Sequence, residues 1–229
     1  MKNVNMKQLI YTGLLLAAAM VAACNKADED YKDFAPGGEN VYPGKATELT
    51  ASPGKNRIML QWLLATDPRI VTCRIYWNRG KDSMDVNVQR THGVDTISAV
   101  LGNMTEGPYL FEVYTYNAQG NRSIKTEING DVYGEFYESN LLNRTLKKAE
   151  IVNGKARLEW DEADPRSPGV RLTFTDAGGT PYSILAPSSE NVTILDVLPE
   201  TGTLEFKTLY LPAANAIDTF AAPAVKVNL

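Results

Sequence analysis

Apolar and polar positions alternate with period two along most of this chain. Ile58, Leu60 and Trp62 fall on one face of a segment, and Met59, Gln61 and Leu63 fall on the other. Cys73, Ile75 and Trp77 alternate with Arg74, Tyr76 and Asn78. Tyr109, Phe111 and Val113 alternate with Leu110, Glu112 and Tyr114. This is the pattern of half-buried strands in antiparallel sheets. Turn signals separate the segments: Ser52-Pro53-Gly54, Asn78-Arg79-Gly80, Glu106-Gly107-Pro108, Asn117 to Gly120, Asn153-Gly154 and Asp176 to Gly179. No stretch has a convincing helical period.

The strands come twice. Arg57–Trp62 (RIMLQW), Asp67-Pro68-Arg69 and Arg74 are echoed about 97 residues later by Lys155–Trp160 (KARLEW), Asp164-Pro165-Arg166 and Arg171. Thr96–Leu101 aligns with Asn191–Leu195 through Leu198, and Tyr109–Val113 aligns with Thr203–Lys207. Short strands at this spacing, with one tryptophan per copy, predict an all-β chain of two tandem antiparallel β-sandwiches. The expected boundaries are 43–135 for the first sandwich, 136–145 for a linker and 146–229 for the second. Each half is expected to fold alone. In each Asp-Pro-Arg turn, proline fixes φ and aspartate can accept from the backbone two residues on. The arginine is then placed to reach a nearby acid or carbonyl.

The N-terminus has a different pattern. Lys2 and Lys7 precede an apolar run from Leu9 to Val21, and small residues lead to Cys24. That order reads as a secretory signal over residues 1–23, too short to span a bilayer comfortably. Residues 24–42 are acidic and rich in Gly and Pro, and they read as a solvated tether.

Composition narrows the possible chemistry. Loss of residues 1–23 removes Lys2 and Lys7 and leaves 27 acids against 21 bases. No basic cluster appears, so nucleic acid is not an expected partner. The two cysteines are Cys24 and Cys73. With Cys24 at the mature N-terminus, Cys73 is an inward-facing, inert thiol. His92 is the only histidine and falls in a loop before a strand. Neither a nucleophile–histidine arrangement nor ligand spacing for a metal is present, so no enzyme activity, metal or cofactor is expected. The acids Asp161, Glu162 and Asp164 read as an inter-strand loop.

Several features resemble known families. Val21-Ala22-Ala23-Cys24 resembles a bacterial lipobox, which implies lipidation at Cys24, and Asp28-Glu29-Asp30 resembles the surface-export signal of Bacteroidota lipoproteins. Pro43–Thr47, Trp62 and Tyr109 resemble the opening, the core tryptophan and the tyrosine-corner strand of fibronectin type III domains. The second copy departs from that pattern, with Leu204 in place of Tyr109 and a short final strand. Tyr31–Phe34, Gly38-Glu39, Tyr42–Lys45, Tyr76–Asn78, Gly80–Ser83 and Gly120–Ser123 resemble a family of Bacteroidota lipoproteins catalogued as a domain of unknown function. Its members often accompany starch-utilisation-type glycan uptake systems. The resemblance implies a lipid-anchored outer-membrane protein at the cell surface. Its expected work is glycan capture, or alternatively a spacer or interaction role within an outer-membrane complex. Candidate contact residues come from strand parity: Tyr76, Tyr114 and Tyr116 share the outward face of one sheet of the first sandwich. Phenol rings there could meet a polysaccharide or a protein.

Overall fold

The computed structural model describes residues 11, 41–65 and 67–229. Cys24, the signal reading and all but the last two residues of the tether reading lie outside the described residues. Pro43–Leu229 forms one compact unit.

The first half has seven strands: β1 (Ala46–Pro53), β2 (Ile58–Leu64), β3 (Ile70–Trp77), β4 (Asp82–Asn87), β5 (Asp95–Leu101), β6 (Gly107–Asn117) and β7 (Thr126–Val132). They pair in a β1-β2-β5 sheet and a β4-β3-β6-β7 sheet. Helix α1 (Glu135–Ser139) follows. The second half has β8 (Leu146–Val152), β9 (Lys155–Trp160), β10 (Gly169–Thr175), β11 (Pro181–Pro187), β12 (Val192–Leu195), β13 (Thr203–Tyr210), β14 (Phe220–Ala221) and β15 (Val225–Asn228). The same order returns, with β8-β9-β12 as one sheet and β11-β10-β13 as the other. The final strand is split, so that β14 and β15 pair with different parts of β13. The described strand pairings within the sheets are antiparallel. Two fibronectin-like sandwiches therefore stand in tandem.

Alternation placed the cores as expected. Ile58, Leu60, Trp62, Cys73, Ile75, Phe111 and Val113 are fully buried between the first pair of sheets. Ala156, Leu158, Trp160, Leu172 and Phe206 occupy the corresponding places in the second. The Tyr109 hydroxyl donates to the Thr105 carbonyl at 2.9 Å, which is the tyrosine corner. In the second sandwich the register corrects the expected match: Leu204 takes the buried place of Phe111, and Gly202 stands where Tyr109 does, so there is no such corner.

The two tryptophans differ in one respect. Trp160 Nε1 donates to Thr193 Oγ1 at 3.0 Å, whereas Trp62 Nε1 is buried without a hydrogen-bond partner. Register explains this. Thr193 sits opposite Leu158, and Ala99 sits opposite Leu60, so Ala99 is the counterpart of Thr193. Ala99→Thr is expected to supply the missing acceptor and raise stability by about 1 kcal/mol, the net value of an intramolecular hydrogen bond. Urea denaturation checks it. A loss would mean the core has no room for the added hydroxyl and methyl.

Both Asp-Pro-Arg turns close on themselves. Asp67 accepts from Arg69 N at 3.1 Å, from Arg69 Nε at 2.8 Å and from Arg69 Nη2 at 3.0 Å. Asp164 and Arg166 repeat the fork. Asp67 also takes Gly44 N at 2.8 Å, which fastens the start of the sandwich. The Arg69 guanidinium and these two N–H donors hold the Asp67 carboxyl well below the usual carboxylate range, against the opposing effect of burial. A depressed folded value means the contribution is complete above about pH 4 and is lost as pH falls towards the folded value. Asp67→Asn is therefore expected to cost about 1–3 kcal/mol near neutrality. The gap between wild type and variant should close in acid. Melting curves from pH 3 to pH 7 test this, and a gap that widens in acid would contradict it.

The segment read as a linker is packed rather than free. Leu141 and Arg144 are both buried. The Arg144 guanidinium donates to the carbonyls of Asp161 and Glu190 and to Asn191 Oδ1, at 2.7–3.0 Å. Sequence periodicity missed α1 because one turn carries no period. Its first N–H groups are capped from a distance: Glu106 accepts from Phe136 N at 2.9 Å and from Tyr137 N at 2.8 Å.

A third core joins the halves. Leu141, Tyr210, Phe220 and Ala222 pack with Tyr133 and Tyr137. The Tyr137 and Phe220 rings meet edge-on with centroids 5.2 Å apart. Beside them, Asp218 receives Arg57 Nε and Lys55 N, both at 2.8 Å. Ile217 N donates to the Pro53 carbonyl at 2.8 Å, and Asn215 Nδ2 to the Ala51 carbonyl at 2.9 Å.

Candidate functional site

The β3–β6 ladder sets Tyr76 opposite Glu112, Arg74 opposite Tyr114 and Thr72 opposite Tyr116. On the other side of β3, β4 places Asp85 opposite Arg74 and Ser83 opposite Tyr76. The inward neighbours Cys73, Ile75, Phe111, Val113 and Thr115 are buried, so Tyr76, Tyr114 and Tyr116 emerge together on the outward face, as parity requires.

The three phenols form a cluster. The Tyr76 and Tyr114 rings meet edge-on with centroids 5.7 Å apart, and the Tyr76 and Tyr116 hydroxyls are 3.4 Å apart. The Arg74 guanidinium lies 5.5 Å from the Tyr116 ring centre, and Arg122 lies 5.0 Å from that of Tyr114. All three tyrosines are half-buried, not freely exposed. Their own packing and the two arginines cover part of each ring. The Tyr116 hydroxyl and the Arg74 guanidinium draw the Tyr76 phenol below its ordinary range, while burial pushes Tyr116 up.

Two sets of charges on this face are paired, whereas Arg122, and Arg79 and Lys81 at the turn, are in no salt bridge among the described residues. Arg74 makes a two-pronged bridge to Asp85, with Nη2 to Oδ2 at 2.7 Å. Lys125 Nζ reaches both Glu112 and Glu127 at 2.7 Å. At the end of the sheet, the β3–β4 turn overhangs the start of β6 and encloses an open cleft of about 980 Å³. Tyr76, Pro108, Leu110 and Glu112 line one side, and Asn78 to Asp82 line the other. Asn78, Arg79 and Gly80 all take left-handed conformations, with φ of 50°, 58° and 77°. Asparagine and glycine tolerate that region, but arginine is strained there. An Asn78–Asp82 side-chain hydrogen bond holds the turn.

Sequence reasoning missed Arg122 and the cleft. Arg122 lies in no alternating segment and reaches Tyr114 only because the turn after β6 doubles back, with Arg122 bridging to Tyr116. The cleft had one local signal, the Asn-Arg-Gly turn. In the second copy, Arg171, Thr173, Glu205 and Lys207 take the outward positions without an aromatic cluster.

The other candidates fall where expected. Cys73 is fully buried, and burial pushes its thiol up to about 11. His92 is exposed in the loop before β5. Asp161 pairs with Lys147 at 3.1 Å, and Asp164 pairs with Arg166. Among the described residues, no group of three or more His, Cys, Asp or Glu could hold a metal ion.

A family model for DUF4998, a domain of unknown function, matches residues 24–220. The chain belongs to this family. The match thus covers the first sandwich and the second as far as Phe220, short of β15. No curated protein matches it. Among solved structures, it is similar to a two-domain fibronectin type III segment of chicken tenascin. That pair is 17% identical, covers 80% of this chain and 98% of the other, and has a TM-score of 0.33. It is also similar to the FN1–FN3 domains of chicken CNTN1. There the identity is 10%, the coverage 82% of this chain and 67% of the other, and the TM-score 0.42. The fold assignment rests on the strand order above. This DUF4998 chain is built of two antiparallel β-sandwiches.

Proposed function

We propose that this DUF4998 protein is a lipid-anchored module of the outer membrane, exposed at the cell surface, that captures glycan on the tyrosine face of its first sandwich. The observation that carries this reading is the Tyr76–Tyr114–Tyr116 cluster, preassembled on a rigid sheet beside an open cleft. Aromatic rings offer flat apolar surface with a polar rim, which suits sugar rings, and ordering costs little when the rings are already packed. The anchor rests on Val21-Ala22-Ala23-Cys24, and the family match opens at that cysteine.

A glycan array with wild type and a Tyr76→Ala/Tyr114→Ala/Tyr116→Ala variant tests the face. The expected result is glycan binding by the wild type and its loss in a variant that still folds. Binding unchanged in the variant would move the contact elsewhere. For the anchor, a fatty-acid probe should label wild-type cells and not Cys24→Ala cells. Equal labelling would remove it.

A second reading is a spacer or interaction subunit of an outer-membrane complex. The packed joint between the sandwiches favours it, since a fixed angle is what a spacer needs. Array-negative protein that co-purifies with an outer-membrane partner would select this reading.

A further inference from the structure

The cleft and the tyrosine cluster lie on one strand. Pro108 and Leu110 open β6 at the cleft, Glu112 follows, and Tyr114 and Tyr116 close it at the Arg122 end. Outward positions from 108 to 116 cover about 27 Å of strand. Tyr76, from the neighbouring strand, belongs to both parts: it lines the cleft and touches Tyr114 and Tyr116.

We infer that the two parts are one groove, and that its ligand is a linear, uncharged oligosaccharide lying along β6, several sugar units at a time. This rests on the glycan reading above and specifies it. Three observations carry it. First, the strip is too long for one sugar ring, and its apolar stations are spread along β6. Second, the charges along the strip nearly balance: Arg74 pairs with Asp85 and Lys125 with Glu112 and Glu127, Arg122 lies over the Tyr114 ring, and the cleft sets Arg79 and Lys81 against Asp82 and Glu112. A polyanion would have to break these pairs, and the chain carries a net negative charge. Third, the Glu112–Lys125 pair sits midway along the strip. The centre of a protein–protein interface is depleted of charge, because packing there removes water. A hydroxyl-rich chain can hydrogen-bond to such a pair and leave it partly hydrated.

The overhanging turn sets the end of the groove. Its left-handed Arg79 is strain of the kind found at ligand clamps, held here by the Asn78–Asp82 bond.

The test is a ladder of neutral linear glucans, α- and β-linked, of one to eight units. Binding is read by calorimetry on the folded chain from residue 43. Affinity is expected to rise with length and level off once the strip is filled. Tyr76→Ala should weaken every length about tenfold. Tyr116→Ala, at the far end, should weaken six-unit binding about tenfold and leave two-unit binding unchanged. Circular dichroism on each variant separates this from unfolding, and Tyr116→Phe should retain binding. Equal affinity for one and six units, or equal loss at both lengths in Tyr116→Ala, would overturn the groove while leaving the glycan reading intact. No binding at any length by the wild type, with capture of a protein on the same face, would overturn both.

Discussion

Trp62→Ala is expected to cost about 3–5 kcal/mol, as large-to-small changes in a packed core do. The indole is fully buried between the two sheets of the first sandwich. Its walls are ladders on both sides: β2 is paired to β1 and β5, and β3 to β4 and β6. Such walls collapse poorly into a cavity, so the loss should lie toward the upper part of that range. Domain stabilities are only about 5–15 kcal/mol, so the change should take a large share of the first sandwich's folding stability. Trp160→Ala should do the same to the second and leave Thr193 without its donor. Urea denaturation followed by circular dichroism measures both. A loss below about 1 kcal/mol in Trp62→Ala would mean the core is centred elsewhere.

Gly54→Val is expected to break the joint and leave both sandwiches folded. A Cβ at Gly54 would meet Asp218 Oδ2 at 2.5 Å and Ile217 Cγ1 at 2.7 Å. The first is the carboxylate that Arg57 and Lys55 hold, and the second belongs to the residue whose N–H donates to Pro53. Overpacking of this kind costs about 1–3 kcal/mol. Here the strap from Leu211 to Thr219 can move away instead, exposing Phe220 and the ring cluster around it. Wild type is expected to melt in one transition, because the third core draws residues from both halves. Gly54→Val should melt in two. Adding Trp62→Ala to Gly54→Val should then abolish the first transition and spare the second. A single transition in Gly54→Val would mean that the strap does not couple the halves.

Much of the fold is legible in the residues. Ile58, Leu60 and Trp62 could only face inward together, because a strand repeats every two residues. The same rule put Tyr76 on one face with Tyr114 and Tyr116. The doubled Asp-Pro-Arg turns were readable because their chemistry is local: an aspartate and an arginine two residues apart close on each other in both copies. Tyr109 is similar, since its acceptor Thr105 is four residues away.

Other features depend on residues far apart in the chain. Asn215, Ile217 and Asp218 lie in a stretch without periodicity, and their partners at Ala51, Pro53, Lys55 and Arg57 are about 160 residues away. Nothing local marks such a pairing. The half-burial of the tyrosines is of the same kind. Strand parity gives the direction of a side chain, but how much of it water reaches depends on Arg122, brought over Tyr114 by a turn outside any alternating segment.

The sequence by itself therefore determined the two sandwiches, their inward faces and the outward direction of the three phenols, because period-two alternation and turn chemistry act over a few residues. Only the tertiary structure decided that a strap and a third core lock the sandwiches together. It alone placed the cleft beneath the Asn78–Asp82 turn in line with Tyr76, Tyr114 and Tyr116. Those features are contacts between distant segments, and they exist only once the sheets have fixed where each segment lies.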